Sequence, residues 1–161
     1  MNETFYLSNI SPQVAVGFNR GYWASLERFV RHLASNKQFQ GVHVYTGPLW
    51  LPQKDDSGKH YISYQVLGDP VPNTHVPTHF FKVILAEKDQ DYRYMACFVL
   101  PNAEIAGHTK ITDFMVPLEA VERASGIQFF PHLREKHKQL QLCSLIECKL
   151  SSDFKKAVSY S

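Results

Sequence analysis

The sequence has no long apolar run, few cysteines and almost no net charge. Spanning a bilayer takes roughly 18–20 consecutive apolar residues, and no run here approaches that length, so no membrane-spanning helix is predicted. The three cysteines, Cys97, Cys143 and Cys148, are an odd number, which disfavours a disulfide framework and suits a reducing compartment. Cys143 and Cys148 could pair or share a metal, but buried or half-buried free thiols are the favoured interpretation.

The net charge of +2 is too small to indicate nucleic-acid binding by itself, although a nearly neutral domain can carry a local basic groove. The first residues, Met-Asn-Glu-Thr, lack the basic and apolar regions of a signal peptide, so we expect no targeting signal in the sequence as given. The length of 161 residues predicts one domain that buries roughly 70% of its unfolded-chain surface.

The patterning predicts a single α+β domain built around a largely antiparallel sheet. The strongest helix pattern covers 20–35, where apolar residues recur at helical spacing after Asn19, a good N-cap residue. Pro117 opens a second helix, and Gly126 follows its end. A basic, helix-compatible segment covers 132–138. Strand-like stretches are expected at 4–7, 42–46, 61–67, 79–86, 92–100 and 141–150.

A stripe of side chains along the first helix could bind metal and phosphate. The stripe consists of residues spaced four apart, Asn19, Trp23, Glu27 and Arg31. Residues at this spacing lie on nearly the same face of a helix, each rotated by about 40° from the last. An asparagine oxygen suits a hard cation such as Mg²⁺, which prefers oxygen ligands and keeps several waters. The amino end of a helix also attracts phosphate.

The same spacing has a purely structural interpretation. Asn19 is then a helix cap, Trp23 is a core residue, and Glu27 and Arg31 form a surface ion pair. Such pairs are common, so spacing alone favours this interpretation over a functional site.

Several motifs resemble one nuclease family. They begin with Thr-Phe-Tyr-Leu-Ser-Asn at 4–9, Pro-Gln at 12–13 and Asn-x-x-x-Trp-x-x-Leu-Glu at 19–27. Further matching segments are Tyr-Thr-Gly-Pro-Leu at 45–49, Tyr-Gln-Val-x-Gly at 64–68, Val-Pro-Thr-His-Phe-Phe-Lys at 76–82, Val-x-Pro-Asn at 99–102 and Glu-Arg-Ala-Ser-Gly at 122–126. Together they resemble the DNA/RNA non-specific endonucleases of the ββα-metal (His-Me finger) superfamily, especially endonuclease G and its fungal mitochondrial members.

The resemblance implies a role for each residue of the candidate site. It makes Asn19 the single protein ligand of Mg²⁺, with Mn²⁺ as an alternative cation, and Asn9 the asparagine that supports the site. Glu27 corresponds to the acid that holds metal-bound water, and Arg31 to an arginine that stabilises the phosphate. The implied reaction is hydrolysis of DNA and RNA phosphodiester bonds, leaving 5′-phosphate and 3′-hydroxyl ends. Such chemistry reads the backbone rather than the bases.

The sequence departs from the family pattern at the general base. That base is the histidine of an Asp-Arg-Gly-His motif, which is absent here. Nothing in the sequence places His32, His43, His75 or His79 beside Asn19, so each is expected to be a surface or packed residue. We therefore expect residues 1–161 to be the carboxy-terminal portion of an endonuclease domain, with Met1 internal to a longer protein. A general base contributes about 10²–10⁴-fold, so this portion alone should be nearly inactive.

A catalytically inactive relative that binds nucleic acid or a protein partner is the alternative. The basic segment at 136–138 could touch nucleic acid, but a solvated basic face is the favoured interpretation. The resemblance further implies DNA and RNA as partners, a homodimer, and a mitochondrial location with the nucleus as a second compartment.

Overall fold

A computed structural model describes residue 6 and residues 9–133 and 138–150. In chain order the strands are β1 (Gly41–Leu49), β2 (Gln53–Lys54), β3 (His60–Tyr61), β4 (Val66–Leu67), β5 (Thr74–His75), β6 (His79–Glu87), β7 (Tyr92–Pro101) and β8 (Lys138–Gln141). The helices are α1 (Ala24–Ser35), α2 (Leu118–Ser125) and α3 (Leu142–Leu145), with π-type turns at Ala15–Trp23 and 3₁₀ turns at Ile111–Phe114 and Pro131–Leu133. No helix in these described ranges has the length and apolarity to cross a bilayer.

The main sheet has the order β1-β6-β7-β8. The pairs β1–β6 and β6–β7 are antiparallel, whereas β8 lies parallel to β7. Two further two-stranded sheets, β2–β3 and β4–β5, form in the connection between β1 and β6. This confirms the predicted α+β class and the largely antiparallel sheet.

The alternation of side chains along β6 divides the core into two layers. Phe80, Ile84 and Ala86 point to one face and pack with Leu26 and Leu33 of α1. The intervening Phe81, Val83 and Leu85 point to the other face, where Leu118 and Val121 of α2 cover them. Burial on both faces explains why the sequence of β6 is almost continuously apolar.

The predictions for the central strands and for the second helix are confirmed. Strands predicted at 42–46, 79–86 and 92–100 form as β1, β6 and β7 with slightly wider bounds. α2 follows Pro117 and ends before Gly126, whose φ of +72° is the left-handed conformation that glycine adopts readily. The Gly126 N–H donates to the Glu122 carbonyl over 2.9 Å.

Two predicted strands are wrong in extent. The stretch 61–67 is exposed throughout, so no buried face favours a continuous strand, and only its ends pair, in β3 and β4. The stretch 141–150 instead contains α3 and a Cys143–Cys148 disulfide with a Cα–Cα distance of 5.2 Å. Five residues of an extended strand would span about 16 Å, so the disulfide excludes that strand.

The disulfide also corrects the interpretation of the cysteines as free thiols, which holds only for the buried Cys97. The predicted strand at 4–7, apart from Tyr6, and most of the basic segment at 132–138 lie outside the described residues.

The first helix begins later than predicted. α1 starts at Ala24 rather than at 20, and the preceding π-type turns have non-helical backbone at Val16, Gly17 and Gly21. Gly17 has a φ of +77°, and an added Cβ would lie 2.6 Å from Cγ of Glu104. Only glycine fits this close approach, so the backbone turns sharply before the helix.

Candidate metal and phosphate site

Asn102 fixes the segment that leads into the candidate site. Its Oδ1 accepts a hydrogen bond from the Val14 N–H over 2.8 Å. Its Nδ2 donates to the carbonyl oxygens of Pro12 at 3.1 Å and Pro77 at 2.9 Å. Because Asn102 directly follows β7, these bonds attach residues 12–14 to the end of the sheet.

The connection after β7 holds the π-type turns from the other side. The buried Tyr22 hydroxyl lies 2.7 Å from the Ala106 carbonyl oxygen and 2.8 Å from that of Thr109, and can donate to either. Burial raises the pKa of Tyr22, partly opposed by its hydrogen bonding at Thr109. The close contact of Gly17 with Glu104 lies in the same connection. The backbone around Asn19 is therefore positioned by residues more than 80 positions away in the sequence.

Asn19 is oriented by Gln13 rather than acting as a helix cap. Its Nδ2 donates to Oε1 of Gln13 over 2.6 Å, and its backbone N–H donates to the Val14 carbonyl over 2.9 Å. The residue before α1 is Trp23, which makes no side-chain capping bond. The N-cap prediction for Asn19 is therefore wrong, because the π-type turns separate it from α1. Its side chain is exposed, and the bond to Gln13 leaves its amide oxygen for another partner.

A pocket of about 210 Å³ lies beside this pair. It is lined by Asn9, Ser11, Gln13, Trp23, Thr46, Gly47, Pro48 and Phe80. Asn9, Ser11 and Gln13 come from the segment before the π-type turns, and Thr46 comes from β1. The aromatic rings of Trp23 and Phe80 belong to the core beneath. The structure thus brings Asn9 to the pocket and, through Gln13, Asn19 to its edge.

Glu27 lies one helical turn beyond Trp23 and is half-buried. Its charge acts on Lys82 of β6, a residue that sequence reasoning did not single out. The Lys82 side chain is only 4% exposed, and its Nζ lies 4.3 Å from the centroid of the Trp23 ring. Burial lowers the pKa of Lys82, while the negative charge of Glu27 raises it. The signal available in the sequence was a lysine within the almost continuous apolar run of β6.

Arg31 is exposed on α1 and does not line the pocket. Its backbone carbonyl accepts a hydrogen bond from the Ser35 hydroxyl. No ion pair joins Arg31 to Glu27, two residues that the structure describes, so the predicted surface pair does not form. The core assignment of Trp23 is confirmed by its exposure of 5%.

The histidines that the sequence offered as substitutes for a base lie elsewhere. His43 approaches Glu87 at 3.4 Å, and His75 packs against the Tyr64 ring with centroids 5.0 Å apart. His79 lies 3.0 Å from the Thr78 hydroxyl, and burial lowers its pKa. None of the described residues that line the pocket is a histidine.

The side chains around Asn19 fit a cation that is bound by one protein oxygen and several waters. Within residues 9–133 and 138–150, no group of three or more His, Cys, Asp or Glu side chains could enclose a metal. Mg²⁺ dehydrates reluctantly and usually keeps several waters with one or two protein ligands. The exposed amide of Asn19, oriented by Gln13, is compatible with that preference.

Comparison with known proteins gives consistent matches. The DNA/RNA non-specific endonuclease family matches residues 1–136. Nuclease 1, mitochondrial, of Schizosaccharomyces pombe is 48% identical over 94% of this chain and 47% of its own length. Endonuclease G, mitochondrial, of Homo sapiens is 42% identical over 83% of this chain and 43% of its own length. The chain therefore spans about half the length of these curated relatives.

A solved structure extends the likeness to the fold. The crystal structure of an EndoG/EndoGI complex superposes with a TM-score of 0.77 at 46% identity, covering 86% of this chain and 56% of that one. The sheet and flanking helices are thus those of the ββα-metal nuclease fold. The extent of the family match and the identity to these relatives establish that this chain belongs to the DNA/RNA non-specific endonuclease family.

Proposed function

We propose that this chain is the metal- and phosphate-binding part of a Mg²⁺-dependent, sugar-non-specific endonuclease. Its substrates are DNA and RNA, and its products carry 5′-phosphate and 3′-hydroxyl ends. The observation that carries this proposal is the hydrogen bond from Asn19 to Gln13 at the edge of the pocket. It leaves the amide oxygen of the exposed Asn19 for another partner, beside a pocket lined by both polar and aromatic residues, in a chain of a nuclease family.

Each candidate residue has a distinct role in this proposal. Asn19 holds the cation, Mg²⁺ or alternatively Mn²⁺, through its amide oxygen, and Glu27 holds water next to it. Asn9 supports the pocket that receives the phosphate, and Arg31 offsets phosphate charge. When bound, the cation supplies charge stabilisation for the phosphate and the departing 3′ oxygen. Contacts to phosphate carry no sequence information, which accounts for action on both DNA and RNA.

The general base comes from sequence outside residues 1–161 in this proposal. The sequence contains no Asp-Arg-Gly-His, and no histidine is among the described residues that line the pocket. The curated relatives are about twice as long as the part that this chain matches.

Plasmid cleavage tests the proposal. We expect the 161-residue chain to cleave at least 10²-fold more slowly than a longer protein whose upstream sequence, taken from the source transcript, encodes Asp-Arg-Gly-His. In the longer protein EDTA should abolish cleavage, and Asn19→Ala should remove most of it. The control is Asn36→Ala at the end of α1, where the side chain accepts only from the Gln38 N–H. Wild-type rates in Asn19→Ala would contradict the metal-ligand role.

A second candidate function is nucleic-acid binding without catalysis, favoured by the absence of histidine among the described pocket residues. Such a protein should bind DNA with strong salt dependence and show no metal-dependent cleavage in any form that the source transcript encodes. If that transcript has stop codons immediately upstream of Met1, this second function replaces the first.

We also propose a mitochondrial location, with the nucleus as a second compartment, and a homodimer. The location follows from relatives that are named mitochondrial nucleases. Fractionation of source cells and light scattering on the purified full-length protein test these two statements separately.

A further inference from the structure

We propose that Lys82 is a positioning residue for the pocket: its ammonium lies against the Trp23 ring, fixes that ring as a wall of the pocket and places a positive charge behind the wall. This inference rests on the proposed function and deepens it, because it names the residue that shapes the pocket for a phosphate of the nucleic-acid backbone. Lys82 does not itself line the pocket, so it acts through Trp23.

Lys82 lies in a row of core residues. Phe80, Ile84 and Ala86 alternate along β6 on the face that packs against α1. Lys82 occupies the position between Phe80 and Ile84 on the same face, and only 4% of its surface is exposed. Lysine is almost never buried to this extent unless its charge is paired. An apolar side chain would fit this row at lower cost, so the charge itself requires an explanation.

The ammonium of Lys82 has no hydrogen bond and no ion pair within the part of the chain that the structure describes. Burial lowers the pKa of Lys82 and the charge of Glu27 opposes that effect, yet no bond of either kind joins these two side chains. Nζ is not sealed from solvent, because among the described residues only Trp50 Nε1 is a side-chain nitrogen or oxygen both sealed and unpaired. The three N–H donors of the ammonium therefore remain for water or for an anion.

The Trp23 ring is the group that the ammonium contacts. Nζ lies 4.3 Å from the ring centroid, within the distance of about 6 Å at which an aromatic face attracts a cation. The ring also packs against the rings of Phe18 and Phe80, with centroids 5.5 Å and 5.6 Å away. Two aromatic neighbours and one cation thus hold the side chain that directly precedes α1.

Three residues of the pocket surround Lys82. Trp23, which Nζ contacts, lines the pocket. Thr46, the cross-strand neighbour of Lys82 in the β1–β6 register, and Phe80, two residues earlier in β6, line it as well. Cross-strand neighbours and residues two apart share one face of a sheet. The ammonium therefore lies next to the wall that these three side chains form.

An anion in the pocket benefits from this arrangement in two ways. A Trp23 ring that is already fixed does not have to be ordered when a ligand binds, which lowers the entropic cost of binding. A positive charge behind the wall attracts a phosphate, and the attraction is stronger where water is partly excluded. Lys82 touches neither the phosphate nor the metal cation in this proposal.

Nuclear magnetic resonance on the 161-residue chain tests the contact. We expect nuclear Overhauser effects between the ε-methylene protons of Lys82 and the Trp23 ring, and an upfield shift of those protons caused by the ring. Trp23→Leu should remove both signals, whereas Trp50→Leu, which removes the other tryptophan, should keep them. Absence of both signals in the wild type overturns the proposal.

Variants of Lys82 test whether it positions the ring. The ¹H–¹⁵N resonance of the Trp23 indole should move in Lys82→Met and should return close to its wild-type position in Lys82→Arg, which keeps the charge. Lys88→Met removes an exposed lysine directly after β6 and should leave the indole resonance in place. An indole resonance that does not move in Lys82→Met overturns the proposal.

Oligonucleotide binding tests the consequence for the site. The probe is a fluorescent single-stranded DNA 12-mer, measured by anisotropy in low salt with the metal cation omitted. Lys82→Met should weaken binding by about fivefold, and Lys82→Arg should restore it to within about twofold. Lys88→Met removes the same charge from the surface and should weaken binding less. Equal affinities of Lys82→Met and Lys88→Met overturn the proposal.

These measurements separate the positioning role from the proposed function. If Lys82→Met fails to fold, the Overhauser effects in the wild type still decide whether Lys82 lies against Trp23. A wild-type chain that binds neither the oligonucleotide nor Mn²⁺ contradicts the proposed function, and the Trp23 indole resonance in Lys82→Met then decides by itself whether Lys82 positions the ring.

Discussion

The side-chain amide of Asn19 donates a hydrogen bond to Oε1 of Gln13 over 2.6 Å. The bond fixes which end of the Asn19 amide faces away from Gln13, and that end is the oxygen. Residues that orient a metal ligand in this way typically affect metal affinity by 10–100-fold. Mutation of Gln13 therefore tests the proposed cation site without removing its proposed ligand, Asn19.

We expect Gln13→Ala to weaken Mn²⁺ binding about tenfold, because the Asn19 amide then loses the partner that orients it. Isothermal titration of the chain with Mn²⁺ measures the change. Gln128→Ala, an exposed glutamine after α2, is the matched control and should bind as the wild type does. Equal affinity in both variants would show that Gln13 does not orient a ligand.

Asn102→Ala should lower the free energy of unfolding by about 2–3 kcal/mol, because one amide makes three hydrogen bonds at 2.8–3.1 Å to backbone atoms. Urea unfolding measures the loss, and hydrogen exchange should accelerate at the Val14 amide. The exposed Asn73, whose side chain accepts only from the Thr74 hydroxyl, provides the control Asn73→Ala, with an effect within about 0.5 kcal/mol. A loss in Asn102→Ala no larger than the control's would contradict the role of Asn102 in attaching residues 12–14 to the sheet.

Gly17→Ala should destabilise the protein by about 2–4 kcal/mol, since the new Cβ meets Glu104 at 2.6 Å and the φ of +77° is strained for alanine. Gly107→Ala is the matched control, because nothing lies within 4 Å of its added Cβ. Thermal unfolding of the two variants gives the comparison. Similar melting temperatures would mean that the turn before Asn19 adapts easily.

Arg31→Ala should reduce the salt dependence of single-stranded DNA binding by about 0.7 in the slope of log K against log salt, if one phosphate contact is lost. Arg123→Ala on α2 is the control, because α2 covers the opposite face of the sheet. Anisotropy titrations between 50 and 200 mM salt, roughly the range over which such slopes are measured, provide both values. Identical slopes in both variants would remove Arg31 from the phosphate site.

Thiol counting checks the disulfide. Burial, with lesser effects of Glu119 and Glu122, raises the pKa of Cys97 to about 12, so this thiol should not react in the native protein. With Cys143 bonded to Cys148, Ellman's reagent should find no reactive thiol in the native chain. It should find one after denaturation and three after denaturation with reductant. Three thiols without reductant would contradict the disulfide.

Much of the sheet could be predicted because apolar runs and turn residues are local signals. β6 and β7 are buried on both faces, and their sequences are correspondingly apolar. α2 was predictable from Pro117 and Gly126, which mark its two ends. The start of α1 was not, because the close approach of Gly17 to Glu104 depends on a segment more than 80 residues away.

Sequence patterns and motifs were sufficient to predict the fold class and the nuclease family, and they supplied the candidates Asn9, Asn19, Glu27 and Arg31. Their roles stay predictions. Three contacts became visible only in the folded chain: Gln13 bonds to Asn19, Asn102 holds Val14 from 88 positions away, and Lys82 lies against Trp23. Such contacts depend on side-chain directions and on how distant segments cross, and no local pattern of residues encodes either.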